Sequence, residues 1–220
     1  RHYLRIRKEI PVHLLAPGPE KASRASVFAV GIPGTVGALL FDVDYMVLDR
    51  LVAGYGDIAL ASIGIVLKAE RLPQQIGIGL CQGMVPLVAY SYARKDYGRI
   101  RKIMFSTLKT GAVVAVFSIS LYELFPSHII RFFIADPETI LIGTRFLRVR
   151  SVAAAVMFFC FFVVFLFQGL GNGKVAMALA VIRWMLFNIP MLFILRRIFG
   201  MYGLVWAQLV SDLLTVAVSY

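Results

Sequence analysis

Six stretches of this chain are each long and apolar enough to cross a lipid bilayer as a helix, and no other feature limits the fold as much. A crossing takes about 20 mostly apolar residues, at about 1.5 Å of rise each across about 30 Å of hydrocarbon. The stretches run from about 25 to 51, 57 to 92, 103 to 124, 146 to 168, 175 to 195 and 201 to 220. Composition agrees: 60% of residues are hydrophobic, 16% are charged, and mean hydropathy is +0.81. Soluble domains sit nearer about 45–50% apolar and about 25% charged. The expected fold class is therefore all-α and integral to the membrane, a six-transmembrane-helix bundle over 25–220 preceded by a basic segment, 1–24.

The net charge of +11 does not point to nucleic acid. The cations cluster in "RHYLRIRK", in "ARKDYGRIRK" and near helix ends, with no basic stripe interleaved with aromatic platforms. This is the pattern of cytoplasmic loops under the positive-inside bias. The N-terminal arm, "ARKDYGRIRK" and "GNGK" fall on one side in the six-span count, so that side and both chain ends are expected to be cytoplasmic. Arg145, Arg148, Arg150, Arg196 and Arg197 fall on the other side and weaken the bias without reversing it. The chain opens on Arg1 with no signal-peptide pattern and is expected to be a piece of a longer protein.

No enzyme chemistry is visible. The sequence has no phosphate-binding loop, no HExxH and no nucleophile elbow. Cys81 and Cys160 lie in apolar runs and read as small packing residues, and His2, His13 and His128 are scattered. No catalytic residue, metal site or cofactor is expected. "GTVGALL" and "GIGLCQG" read as close helix packing.

The second run is too long for one perpendicular crossing, and "LKAERLP" interrupts it. Two short helices or one long kinked helix both fit; the absence of a turn-forming cluster favours the single helix through Pro73 and Pro86. The connectors "GYG", "GNGK" and "RIFGMYG" predict antiparallel neighbours. "FPSHIIRFFIADPETI" reads as an interfacial amphipathic segment followed by a helix start, with Asp136 as N-cap and Pro137 at the first helical position.

Charges inside the apolar runs carry the functional reading. "FDVDYMVLDR" places Asp42, Asp44 and Asp49 near the end of the first span. Asp49 nearly shares a helix face with Asp42, whereas Asp44 points about 160° away. Asp49 is near enough to the interface to be solvated or paired with Arg50. An aspartate at mid-membrane costs about 2.5–3.5 kcal/mol on insertion scales and so faces a partner, a bundle interior or a watery cavity. For Asp42 and Asp44 the alternatives are a helix-joining salt bridge and a role in ion or substrate transit. Lys68, Glu70 and Arg71 in the second span, Arg183 in the fifth and Asp212 in the sixth extend the pattern. Charges in four of six spans imply a polar interior that a simple anchor does not need. Gln82, Tyr90, Tyr92 and Gln168 add hydrogen-bonding capacity, for substrate or for helix–helix bonds. Lys109, near a helix end, is expected to snorkel.

"LVAGYGDIALASIGIVLKAERLPQQIGIGLCQGMVPLVAYSYARKDYGRIRK" resembles the second-helix region of the C-terminal lobe of multidrug and toxic compound extrusion (MATE) transporters. "FIADPETILIGTRFLRV", "FQGLGNGKVAMALAVIRWMLFNIP" and "GMYGLVWAQLVSDLL" continue the resemblance in order. It covers nearly the whole chain from about Val30. The resemblance implies a twelve-helix antiporter of two six-helix lobes around a cavity. This chain would be the second lobe and 1–24 the cytoplasmic linker from the first. Such carriers sit in the cell membrane and expel cationic lipophilic compounds in exchange for Na⁺ or H⁺. Gln82, Gly83, Pro86 and Tyr90 match the family's "QG-x-x-P-x-x-x-Y" pattern, and Glu70, Arg183 and Asp212 fall where relatives often carry the same types. Ala89 and Ala93 stand where glycine is usual. Asp42 and Asp44 stand where small or neutral residues are commoner, so their case rests on burial cost alone.

Two competing readings remain. A lipid-linked oligosaccharide flippase would need a more cationic cavity, for pyrophosphate. A non-transporting scaffold subunit would close its charges into ion pairs and leave no cavity. The topology is directly testable. Single cysteines introduced at Gly98 and at Gly200 should label from opposite sides of the membrane; labelling from one side would refute the six-span count.

Overall fold

The computed structural model describes residues 21–219, all of whose elements are helical. Helix α1 is Lys21–Ala53, α2 Asp57–Ala93, α3 Tyr97–Leu124 and the short α4 Pro126–Phe133. Helix α5 is Pro137–Gly169, α6 runs over Gly173–Phe199, and α7 is Met201–Ser219. Helices α2, α3, α5, α6 and α7 are long and apolar enough to cross a membrane. The first expected span lies in the 33-residue α1, part of whose side chains are outside the described set. That helix starts at Lys21, and the basic segment before it lies outside the described residues.

Short connectors fold the chain into antiparallel neighbours. Gly56, at φ 102°, and Gly200, at φ 60°, make two of these reversals in the left-handed region, where a side chain is strained. The turn into α3 instead places Lys95 there, at φ 57°, and Asp96 caps the helix by accepting from the Arg99 amide at 3.0 Å. Asp136 caps α5 as its position before Pro137 predicts. Its carboxylate accepts from the Thr139 amide at 2.8 Å and the Thr139 hydroxyl at 2.6 Å. Both bonds hold the Asp136 carboxyl below its usual range. Helix α4 has the amphipathic character expected of it: Ile130 is fully buried against Gly143 of α5, while Phe132 is exposed.

Helix α5 is the hub, packing on α2, α3, α4, α6 and α7. Its Phe158 fills a notch in the facing helices. A β-carbon on Gly111 of α3 would collide with the Phe158 ring, and one on Gly77 of α2 would come within 3.0 Å of it. Gly203 plays the same part in α7, where a β-carbon would collide with the Leu195 carbonyl oxygen of α6.

The second apolar run forms one unbroken 37-residue helix through Pro73 and Pro86. At 1.5 Å per residue α2 reaches about 55 Å and projects beyond the hydrocarbon. Proline has no N–H, so Pro73 leaves the Ala69 carbonyl, four residues earlier, without its helical donor. The Tyr122 hydroxyl of α3 donates to that carbonyl at 2.6 Å, in a buried setting. The break in one helix is thus repaired by the next. Tyr122→Phe should lower stability by about 1–3 kcal/mol, the cost of an unpaired buried acceptor, measured by unfolding in detergent micelles. An unchanged midpoint would mean that another donor reaches the carbonyl.

Candidate functional site

A cavity of about 660 Å³ opens between α1, α2, α5 and α6. Its wall mixes aromatic surface from Phe41, Phe161 and Trp184 with Gln82, Gln168 and the carboxylate-bearing Asp42. Phe41 lies edge-on to Trp184, with centroids 5.2 Å apart. Asp42 is exposed here. Such a lining, apolar with a few polar groups, suits a small amphiphile.

Two residues further along α1, Asp44 points the opposite way and is buried, as the helical spacing predicts. Its Oδ2 accepts from the Asn188 amide at 2.7 Å, and its Oδ1 has no partner among the described residues. Asn188 also donates to Gln208 Oε1 at 3.2 Å and accepts from the Ser211 hydroxyl at 3.0 Å. Gln208 in turn donates to Asp212 Oδ2 at 2.9 Å, and Arg183 Nε donates to Asp212 Oδ1 at 2.8 Å. This chain of bonds ties α1, α6 and α7 together within the bundle. Arg183 and Asp212, which have no sequence-local partner, pair with each other.

The terminal nitrogens of Arg183 have no hydrogen-bond acceptor among the described residues. Aromatic faces meet the guanidinium instead, with its carbon 4.3 Å from the Trp184 ring centre and 4.7 Å from that of Phe161. Desolvated cation–π contacts of this kind are worth about 2 kcal/mol each.

A local irregularity in α6 makes the network possible. Between Gly173–Val181 and Ile189–Phe199, residues Ile182–Asn188 form a π-helix, in which the Ile189 amide reaches back to the Trp184 carbonyl. In an α-helix Arg183 and Asn188, five residues apart, would point about 140° away from each other. The wider π turn brings positions five apart into near register, so both side chains enter the same polar cluster. Pro190, which cannot donate, follows directly.

A second buried ion pair joins α2 to α5: Arg150 Nε donates to Glu70 Oε2 at 2.8 Å. Together the two clusters hold three carboxylates, Asp44, Glu70 and Asp212, and two guanidiniums, Arg150 and Arg183. Glu70 and Asp212 each have their own arginine; Asp44 does not.

The structure brings Asp42, Gln82, Gln168 and Arg183 to one cavity, and Asp44 and Asp212 to the buried network behind it. Glu70 belongs to the separate pair with Arg150. Tyr90 lies elsewhere, exposed at the end of α2, where Arg94 donates to its hydroxyl at 2.8 Å and Arg99 lies over its ring. Asp49, Lys68 and Arg71 are exposed. Sequence reasoning missed Asn188, Gln208 and Trp184, and it placed Arg150 at the outer end of the fourth span without a partner. Two amides inside apolar spans are the signal for Asn188 and Gln208. For Arg150, α5 already starts at Pro137, so the arginine is about 20 Å along the helix. Removing one partner should cost far more than removing both. Asp212→Leu strands Arg183 and is expected to lower stability by about 3–5 kcal/mol, while adding Arg183→Met should recover most of the loss. Additive losses in a double-mutant cycle, read by thermal unfolding, would refute this coupling.

The MatE family matches the chain over residues 33–194. The multidrug export protein MepA of Staphylococcus saprophyticus is 30% identical over 213 residues, covering 96% of this chain and 46% of that protein. MepA of Staphylococcus aureus is 27% identical over 211 residues, with the same coverage of 96% and 46%. Among solved structures, the Vibrio cholerae MATE transporter VcmN in its bent form superposes with a TM-score of 0.88 at 16% identity, over 99% of this chain and 50% of that one. The chain spans about half the length of the relatives it matches. Its bundle has the fold of half a MATE transporter, and the chain belongs to the MatE family.

Proposed function

We propose that this chain is one six-helix lobe of a secondary antiporter that exports cationic lipophilic compounds in exchange for Na⁺ or H⁺. The other lobe is the N-terminal six helices of the same polypeptide, and the protein is multi-pass in the cell membrane with both ends of this segment cytoplasmic. The names of the MepA relatives support export of multiple drugs. The observation that carries the mechanism is the division of labour between Asp42 and Asp44. Asp42 lines the same cavity as Phe41 and Phe165, where a carboxylate and aromatic surface together suit a lipophilic cation. Asp44 lies behind that wall as the one buried carboxylate among the described residues without its own arginine. A proton or Na⁺ at Asp44 would supply the missing positive charge. Two residues of one helix thereby see the drug on one side and the coupling cation on the other, and water access from one membrane face at a time makes the two exchange.

The competing readings fit less well. The cavity wall carries one carboxylate and a guanidinium already paired with Asp212, not the cationic surface that a lipid pyrophosphate calls for. A scaffold with closed ion pairs has no use for the open cavity. The test uses the full-length protein in proteoliposomes, with a lipophilic dye as substrate and an imposed pH or Na⁺ gradient. Asp42→Asn should weaken dye binding and lower efflux about tenfold or more, the scale of one desolvated charge pair. Asp44→Asn should leave dye binding in place but abolish the response to the gradient, and Asp49→Asn should do little. Full, gradient-driven efflux by both Asp42→Asn and Asp44→Asn would overturn the proposal.

A further inference from the structure

Helix α3 takes no part in the cavity, yet one of its faces carries three cations outside any ion pair among the described residues. A groove of about 490 Å³ runs along its outer face, lined by Gly98, Arg101, Lys102, Phe105, Ser106 and Lys109. These positions follow a helical stripe of three- and four-residue steps, so one face presents all of them. All six residues are exposed. None of the three cations is in an ion pair among the described residues, whose salt bridges are Glu123–Arg148, Glu70–Arg150 and Asp212–Arg183. The Asp96 carboxylate, which caps the Arg99 amide at 3.0 Å, borders the groove beside Gly98 and offsets part of this charge, leaving the cations in excess. Arg94 and Arg99 at the same end are engaged differently, around the Tyr90 ring.

Depth distinguishes this groove from an ordinary basic loop. The half-exposed ion pair Glu123–Arg148 lies near the opposite end of α3, and we take it as that helix's far interface. Counting back about 20 residues from there, the length of one hydrocarbon crossing, reaches the neighbourhood of Phe105. Lys109 thus starts about one helical turn inside the apolar slab. Its neighbours along the helix, Phe105, Val113, Val116 and Phe117, are all more than 60% exposed, as lipid-facing side chains are. A lysine stem of this length snorkels back toward the headgroups, and there it meets Arg101 and Lys102. Arg101, Lys102 and Lys109 line one opening, which Gly98 and Ser106 leave free of bulk. Phe105 offers a floor for the first acyl carbons.

We propose that this face of α3 is a binding site for an anionic phospholipid, with Arg101, Lys102 and Lys109 holding its headgroup phosphate and Phe105 its glycerol end. A zwitterionic lipid offers the same phosphate but brings an ammonium group against a net positive face, so the site selects net negative headgroups. The inference rests on the membrane reading of the fold and not on any transport activity.

The test is native mass spectrometry of the full-length protein with phosphatidylglycerol and phosphatidylcholine of identical acyl chains. The wild type should retain phosphatidylglycerol preferentially, and that preference should fade at high salt. Each charge removed by Arg101→Gln, Lys102→Gln or Lys109→Gln should weaken phosphatidylglycerol retention about fivefold, leaving phosphatidylcholine unaffected. Arg94→Gln with Arg99→Gln, which removes two charges from the same end, should leave the preference intact. Equal retention of both lipids by the wild type would overturn the proposal whether or not any variant folds. So would an equal loss in the Arg94/Arg99 control, or displacement of the lipid by millimolar inorganic phosphate.

Discussion

The Arg183–Asp212 contact, 2.8 Å long and sealed from solvent, is the interaction on which the arrangement of the last two helices depends. Neither charge has anywhere else to go. In hydrocarbon each would face a penalty of several kcal/mol, so α6 and α7 must present their polar faces to each other. Asn188, Gln208 and Ser211 then extend the hydrogen bonding from Asp212, and Asn188 reaches across to α1 through Asp44. The same rule governs the backbone. Where Pro73 withholds a donor, Tyr122 of the adjacent helix provides one. A bundle of this kind has little hydrophobic drive holding helix to helix, because lipid is as apolar as leucine. Its specificity comes from the obligation to satisfy each polar group internally.

That obligation also separates the two sides of α1. Asp42 and Asp44 differ by two positions and have almost identical sequence surroundings, yet one meets an open aromatic cavity and the other a buried polar network. The contrast arises from helical geometry alone. A thin wall, one helix thick, carries a carboxylate on each surface, and a change in charge on one surface acts on the other across about 10 Å of low-dielectric protein.

Much of this was legible in the sequence, because span length and the cost of burying charge are properties of the chain itself. The continuous second helix, the Asp136 cap, the opposite facing of Asp42 and Asp44 and the burial of Arg183 with Asp212 all follow from periodicity or burial cost. Partner choice was less accessible. Glu70 was visible as an expensive charge, but its match with Arg150, 80 residues later, depends on how α2 and α5 lie together. Tyr90 fits a family pattern, yet its surroundings are set by Arg94 and Arg99 on either side of a turn. The neutral members, Asn188 and Gln208, carry no insertion cost large enough to draw attention, and a strict 3.6-residue period conceals that Arg183 and Asn188 share a face.

The π-helical turn at Ile182–Asn188 has a consequence for the whole of α6. A regular helix has a single phase: fixing which side faces a neighbour at one end fixes it at the other. The π turn is a phase shifter placed at the midpoint. Gly173–Val181 can orient Ala176 and Ala180 toward the cavity wall, while Ile189–Phe199 independently turns Leu192 into the core shared with α7. One membrane crossing thereby serves two unrelated surfaces, with the polar residues that need both located at the joint.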